Sequence, residues 1–390
     1  MNYPSFAKLL SLFSLFFAVI ISGCSSDNDS NDDVLAGFID DSSNPYEMHF
    51  VSASKAYVLR YGSPSIWIVD PSVSSANEEE FKIGEINLKA YDADGVPNMS
   101  KGLIHDGRLY VVMQAMDASY VPGQAYMAVI DIATDTEINV DSNPLKAFEL
   151  EVVNPVDIDL QGDFIYVTGI GRYGSGTRDP EYTGGIEKVN INDFTSTLLI
   201  DDGDAVTHPY GQISGLSIIS DTQAYFTAYA GWQNISLYEF NLSSGEVTSP
   251  AVENYVGVDI RATEVSPEGY LWVALGDFSD PLVDILDPSD NSVVDSLSLD
   301  KNPTQIHFNS DTALIVSVAS DYTSSELSLA DAASPYAIDN GYAAQDLSDI
   351  VGAIDETSFY RLGRTSQNNI SKFDITSPSV LEWQFSTNED

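Results

Sequence analysis

The densest gathering of residues able to do chemistry is the glycine-rich stretch "GIGRYGSGTRDPEYTGG", residues 169–185. It holds Arg172, Tyr173, Arg178 and Tyr182, and so 2 of the 16 basic residues of the chain. Arginine supplies a flat cation with a fork of donors, and tyrosine supplies an apolar ring with a polar tip. Together they suit recognition of a small molecule better than bond breaking. The glycines read as turn formers, because no helix start follows to make them a phosphate cradle. Catalytic signatures are sparse: the four histidines form no HExxH pattern, the single cysteine has no partner, and no nucleophile elbow is present. "DADG" at 92–95 and "DDGD" at 201–204 offer oxygens to Ca2+, but each lacks the rest of a ligand set and reads first as an acidic turn. No cofactor is therefore expected, Ca2+ being the one metal worth considering.

Positioning such a stretch requires a scaffold, and the scaffold is repetitive. "KAYVLRYGSPSIWIVD" at 55–70 returns as "GRLYVVMQAM", "DFIYVTGIG", "TQAYFTAYAG", "EGYLWVALGD", "DTALIVSVAS" and "ETSFYRLGRT". The seven copies align Tyr57, Tyr110, Tyr166, Tyr225, Trp272, Ile315 and Tyr360, with separations of 53, 56, 59, 47, 43 and 45 residues. That period is too long for a hairpin array and fits a four-stranded unit. The third copy shows all four strands as "VDIDL", "DFIYVTGI", "GGIEKVNI" and "TSTLLID", bounded by Gly, Asp and Asn. Asp-Gly at 106–107, Gly-Asp at 162–163 and Pro-Glu-Gly at 267–269 mark tight turns between first and second strands. After residue 25 no segment sustains a 3.6-residue apolar period, so helix is nearly absent. The expected fold is all-β, a seven-bladed β-propeller of four-stranded antiparallel blades over residues 44–388, in preference to a two-domain β-sandwich. "VLAGFID" at 34–40 is either a strand that latches the ring or part of a tether.

In that architecture the loops from second to third strands, and from fourth to the next first strand, meet on one face. Most are short, but 114–124 and 169–185 are long. The expected ligand-binding residues on this face are Arg60, Tyr61, Tyr120, Arg172, Tyr173, Arg178, Tyr182, His208, Tyr210, Trp232 and Arg364. Each one also has an ordinary structural use, tyrosine packing on a neighbouring blade and arginine bridging to an acidic loop. Arginines gathered at one mouth would make a local positive funnel for an anionic ligand. His49 and His307 occupy equivalent first-strand positions, which shared repeat ancestry explains better than a metal site does. Glu264, Asp259 and Asp157 are carboxylates near the channel that a hydrolase would use around a divalent ion.

"KAYVLRYGSPSIWIVDP" resembles the repeat of YVTN-type propellers through Ala56, Tyr57, Val58, Tyr61, Gly62, Val69 and Asp70, with Leu59 and Arg60 replacing its Thr-Asn pair. The resemblance covers most of residues 48–387 and is specific to fold. It implies a group holding both lactonase-like enzymes and surface lipoproteins that bind cobalamin or siderophores beside an outer-membrane transporter. Residues 1–23 read as a signal peptide: Lys8 precedes an apolar run from Leu9 to Ile21, and "ISGC" resembles the lipobox of bacterial lipoproteins. Cys24 would then carry lipid, and the acidic segment through residue 43 would be a flexible tether. Ser25 and Ser26 after the cysteine lean toward the outer membrane, with the domain facing the periplasm or the cell surface. With 16 basic against 59 acidic residues, a net charge of −43, the chain is repelled by nucleic acid and anionic lipid. The expectation is a lipid-anchored binder of a nutrient or metal complex, without chemistry, serving a TonB-dependent transporter. A metal-dependent lactonase-like hydrolase at the channel and a protein-docking scaffold are the alternatives.

Overall fold

The computed structural model describes residues 43–388 except 74–79, 142–144, 173–181, 204–205, 207–209, 232, 249, 277–278, 320–323, 345–348, 353–356, 365–367 and 379–380, and gives only backbone for 340–344 and 349–352. Seven antiparallel sheets follow one another along the chain, each built from contiguous sequence, and five of them have four strands in simple 1-2-3-4 order. They form a seven-bladed β-propeller. The first strands, innermost in each blade, are Pro45–Ser52, Met99–His105, Pro155–Gln161, Gln212–Ser220, Ile260–Val265, Asn302–Asn309 and Asp349–Gly352. Two blades depart from four plain strands. In blade two the outer layer is split between Thr136–Glu137 and Phe148–Glu149, both paired to Tyr126–Asp131. In blade four the bridges Phe240–Val247 and Ile235–Val258 supply the outer edge.

The second strands are apolar on both faces because each is sandwiched between two blades. Tyr57 packs with Met99, Leu109 and Val111 of blade two, Tyr110 with Ile158 and Val167 of blade three, and Tyr166 with Phe226 of blade four. Tyr225, Trp272 and Tyr360 do the same toward blades five, six and one. Blade six corrects the alignment by one residue. Tyr57 pairs with His49, and Leu314 pairs with His307, whereas Ile315 faces back to Trp272 of blade five. Leu314 is therefore the counterpart of the aromatic in the other blades. At 106–107 the hairpin needs positive φ at both central residues, and Asp106 (φ 46) and Gly107 (φ 72) provide it.

Among the described residues the ring closes without exchanging a strand between blades seven and one. Met48, Val58, Trp67 and Phe81 of blade one pack against Tyr360, Trp383 and Phe385 of blade seven. A polar clasp finishes the seam. Asn44 N donates to Asn368 Oδ1 at 2.7 Å, Ser43 Oγ meets Thr387 Oγ1 at 2.6 Å, and Arg60 Nε donates to the Thr387 carbonyl at 3.0 Å. The apolar stretch before Cys24, Cys24 itself and the "VLAGFID" segment lie outside the described residues.

Candidate functional site: the central channel

Pairing with the second strands aligns the inner strands residue by residue. Opposite the aromatic positions stand His49, Leu103, Asp159, Ser217, Glu264, His307 and Val351. Two residues earlier along each inner strand stand Glu47, Lys101, Asp157, Gly215, Ala262, Gln305 and Asp349. The channel therefore carries two adjoining tiers, and most of its ionisable groups lie in them.

On one side, Glu47 is the hub. Its carboxylate accepts from Lys101 Nζ at 2.6 Å, from Gly102 N at 2.8 Å, and pairs with His49 Nε2 at 3.0 Å. Gly102 leaves room for this: a Cβ there would lie 2.9 Å from His49 Nε2. Burial alone would raise the Glu47 carboxyl, but the Lys101 ammonium and the His49 contacts outweigh it and hold the group at about 2. Burial works against the Lys101 ammonium, yet Glu47 and Asp157 together raise it.

The opposite side is acidic. Asp157, Asp159, Ser217, Thr263 and Glu264 line a cavity of about 320 Å3 between blades three, four and five. Ser217 Oγ donates to Thr263 Oγ1 at 2.8 Å, and Leu216 N donates to Asp157 Oδ2 at 3.2 Å. Burial, and then the neighbouring Asp157 charge, push Asp159 up to about 6. Burial and the charges of Asp157 and Asp159 push Glu264 up to about 8. Asp157 is raised by burial, with Lys101 opposing. Across the channel, burial and the Lys101 charge bring His307 down to about 4, which keeps it neutral near pH 7. Near neutral pH this wall is thus partly protonated, able both to accept and to donate hydrogen bonds. Among the described residues no group of three or more His, Cys, Asp or Glu is disposed to hold a metal ion.

The residues expected on the loop face have varied placements. Arg60 is 2% exposed, stacks on Trp67 at 4.2 Å and belongs to the clasp. Arg172 joins the two long loops, its Nε donating to the Pro122 carbonyl at 2.9 Å. Tyr61 and Arg364 meet on one ring: Tyr61 stacks on Tyr46 at 4.7 Å, and the Arg364 guanidinium lies 3.5 Å from its centre. Tyr120 is 49% exposed and close enough to Tyr61 to act on its phenol, so these three share a neighbourhood. Tyr182 is half-buried with φ 50 at the end of its loop. Tyr210 packs edge-on against Phe226 and Tyr238. Tyr173, Arg178, His208 and Trp232 lie outside the described residues. Asp92 and Asp94 of the "DADG" turn accept backbone N–H groups of their own turn. Asp157 and Glu264 share the acidic cavity, whereas Asp259 pairs with Arg261 at 2.6 Å elsewhere. Sequence reasoning missed Glu47, Lys101, Asp159, Ser217 and Thr263 as site residues. The signal was there, as polar residues at alternate positions in "EMH" and "DID" of strands that begin a blade.

No family model matches the chain, and no curated protein does. Solved structures do. A candidate 6-phosphogluconolactonase of Bacteroides uniformis superposes with a TM-score of 0.54 at 11% identity, covering 88% of this chain and 95% of the other. Streptogramin B lyase gives 0.52 at 12% identity over 85% and 93% of the two chains. Puromycin hydrolase gives 0.54 at 12% identity over 91% of this chain and 56% of its own. At such identities the likeness is one of fold, and the fold it shows is the β-propeller.

Proposed function

We propose that the chain is a small-ligand-binding propeller, tethered to the outer membrane through lipidated Cys24, that holds a nutrient or metal complex in its channel for a TonB-dependent transporter. The observation that carries this reading is the convergence of ionisable side chains from blades one, two, three, five and six on two adjoining tiers beside a 320 Å3 cavity. Burying that many polar groups around one space costs stability, and recognition of a polar solute is the return. Ser217, Thr263, Asp157 and Asp159 would accept donors on the ligand edge, the protonated Glu264 carboxyl would donate to an acceptor there, and Lys101 would face the anionic part of the ligand. The test is thermal stabilisation by a corrinoid, a ferric siderophore and haem, compared with the variant carrying Asp159→Asn and Glu264→Gln. Stabilisation by at least one of them, lost in the double variant, supports the reading; no stabilisation by any, or stabilisation the variant retains, overturns it. The tether is tested separately, since Cys24→Ser should release the protein from membranes.

A second reading is a lactonase-like hydrolase. One observation favours it: a single channel keeps Glu47 ionised at about 2 and Glu264 protonated up to about 8, the divergence expected of a base and an acid. Lactone hydrolysis by purified protein, abolished by Glu264→Gln, would decide for it, and metal analysis would show whether Ca2+ or Mg2+ takes part.

A further inference from the structure

A second cavity, of about 370 Å3, lies between blades four and five and is lined by Gln233, Val258, Asp259, Leu275, Asp280 and Leu282. Its position follows from topology. Gln233 and Asp280 belong to loops joining second to third strands, and Val258 and Asp259 lead into the first strand of blade five. All of these sit at the end of the ring where the long loops emerge. The volume falls at the small end of the roughly 300–1,000 Å3 range of small-molecule sites.

The walls are preorganised. Val258 exchanges two backbone hydrogen bonds with Ile235, at 2.9 and 3.0 Å, which ties the two blades together at the pocket. Gly276 N donates to the Asp259 carbonyl at 2.8 Å. A Cβ at Gly276 would lie 2.5 Å from Arg261 Nε and 3.1 Å from Asp259 Oδ2, so glycine is what lets the Asp259–Arg261 pair lie there. That pair is 10% and 7% exposed. Keeping an ion pair this buried beside Val258, Leu275 and Leu282 does little for stability by itself. It does fix a polar edge against an apolar floor. Asp280 is exposed at the rim, and the chain carries −43 overall, so the field at the mouth favours cations.

From this we infer that the pocket is a binding site for a small amphipathic amine, its aryl or alkyl body on Val258, Leu275 and Leu282 and its ammonium group toward Asp280 and Gln233. The inference stands independently of the channel. The experiment is isothermal titration of the full chain with tryptamine, and with indolepropionic acid, which keeps the ring and reverses the charge. Tryptamine should bind with a Kd on the order of 1 mM, as expected for a fragment of this size. Indolepropionic acid should bind at least about 10-fold more weakly. Asp280→Asn, an exposed change, should weaken tryptamine by about 3- to 10-fold, as should Leu282→Ala, while Glu264→Gln leaves it unchanged. Equal binding of the two probes, absence of tryptamine binding, or tryptamine binding unaffected by both pocket variants overturns the inference. Loss of binding in Glu264→Gln instead would move the amine to the channel and overturn it as well.

Discussion

Replacing Glu47 with Gln tests the channel electrostatics most directly. The substitution keeps the shape and removes the charge that receives Lys101, Gly102 N and His49. The carboxyl moves from 4.5 to about 2 on folding. At about 1.36 kcal/mol per unit this contributes about 3 kcal/mol, as an order of magnitude. The sign follows from the depressed value: the contribution is complete above about 4.5 and disappears as pH falls through about 2. For a folded unit of roughly 350 residues, an unfolding entropy of about 2.1 cal/mol/K per residue turns about 3 kcal/mol into about 4 °C of Tm. Calorimetry of both proteins should therefore show the variant about 4 °C lower near pH 7. Near pH 3 only about one unit of the difference remains, and the gap should close to about 2 °C. Removing Lys101 as well, as Lys101→Met, should restore part of the loss, because the stranded ammonium is half the problem. A gap under about 1 °C at neutral pH, or one that stays constant down to about pH 3, would refute the reasoning.

Three further outcomes are expected. Glu264→Gln should raise Tm above about pH 8 and leave it unchanged near pH 4, because a carboxyl whose folded value is raised to about 8 loses stability as pH climbs from 4.5 to that value; thermal melts across pH check the sign. Asn368→Ala removes the acceptor of Asn44 N in the clasp and should cost about 1–3 kcal/mol, read from denaturant unfolding. Arg172→Ala should leave Tm within about 1 °C yet speed proteolysis in the 114–124 loop, since the guanidinium is what fastens the Pro122 carbonyl to the next blade.

The ring was legible because its physics leaves a periodic mark. A second strand wedged between blades must be apolar on both faces, and six of the seven carry an aromatic at the same point. Blade six has no aromatic there, so Leu314 and Ile315 were indistinguishable by type, and only pairing with His307 chose between them. The site was less legible. His49, Asp159, Glu264 and His307 are brought together by closure of the ring and by nothing local. In a chain with 59 acidic residues an acidic inner strand looks ordinary. The arginines were conspicuous for the opposite reason. Scarce cations stand out in such a composition, yet Arg60 serves the seam and Arg172 a loop, both uses that depend on partners distant in sequence.

Closing the ring also completes the site electrically. The seam brings Arg364 of blade seven onto Tyr46, the neighbour of Glu47, and from there its charge acts on the Lys101 ammonium while the Glu47 carboxylate acts on Arg364. Blades seven, one and two therefore present two cations around a single ionised carboxylate. Blades three and five present Asp157, Asp159 and Glu264, with hydroxyls from blades four and five beside them. The two groupings adjoin where the first strands of blades two and three meet, Lys101 and Asp157 acting on each other, in a buried setting where fields are screened less than in bulk water. A neutral solute gains little from such a field, whereas a dipolar one gains an orientation. If the channel binds as proposed, its ligand would be selected first by the separation of its charges, and the seam that makes the ring would be part of what selects it.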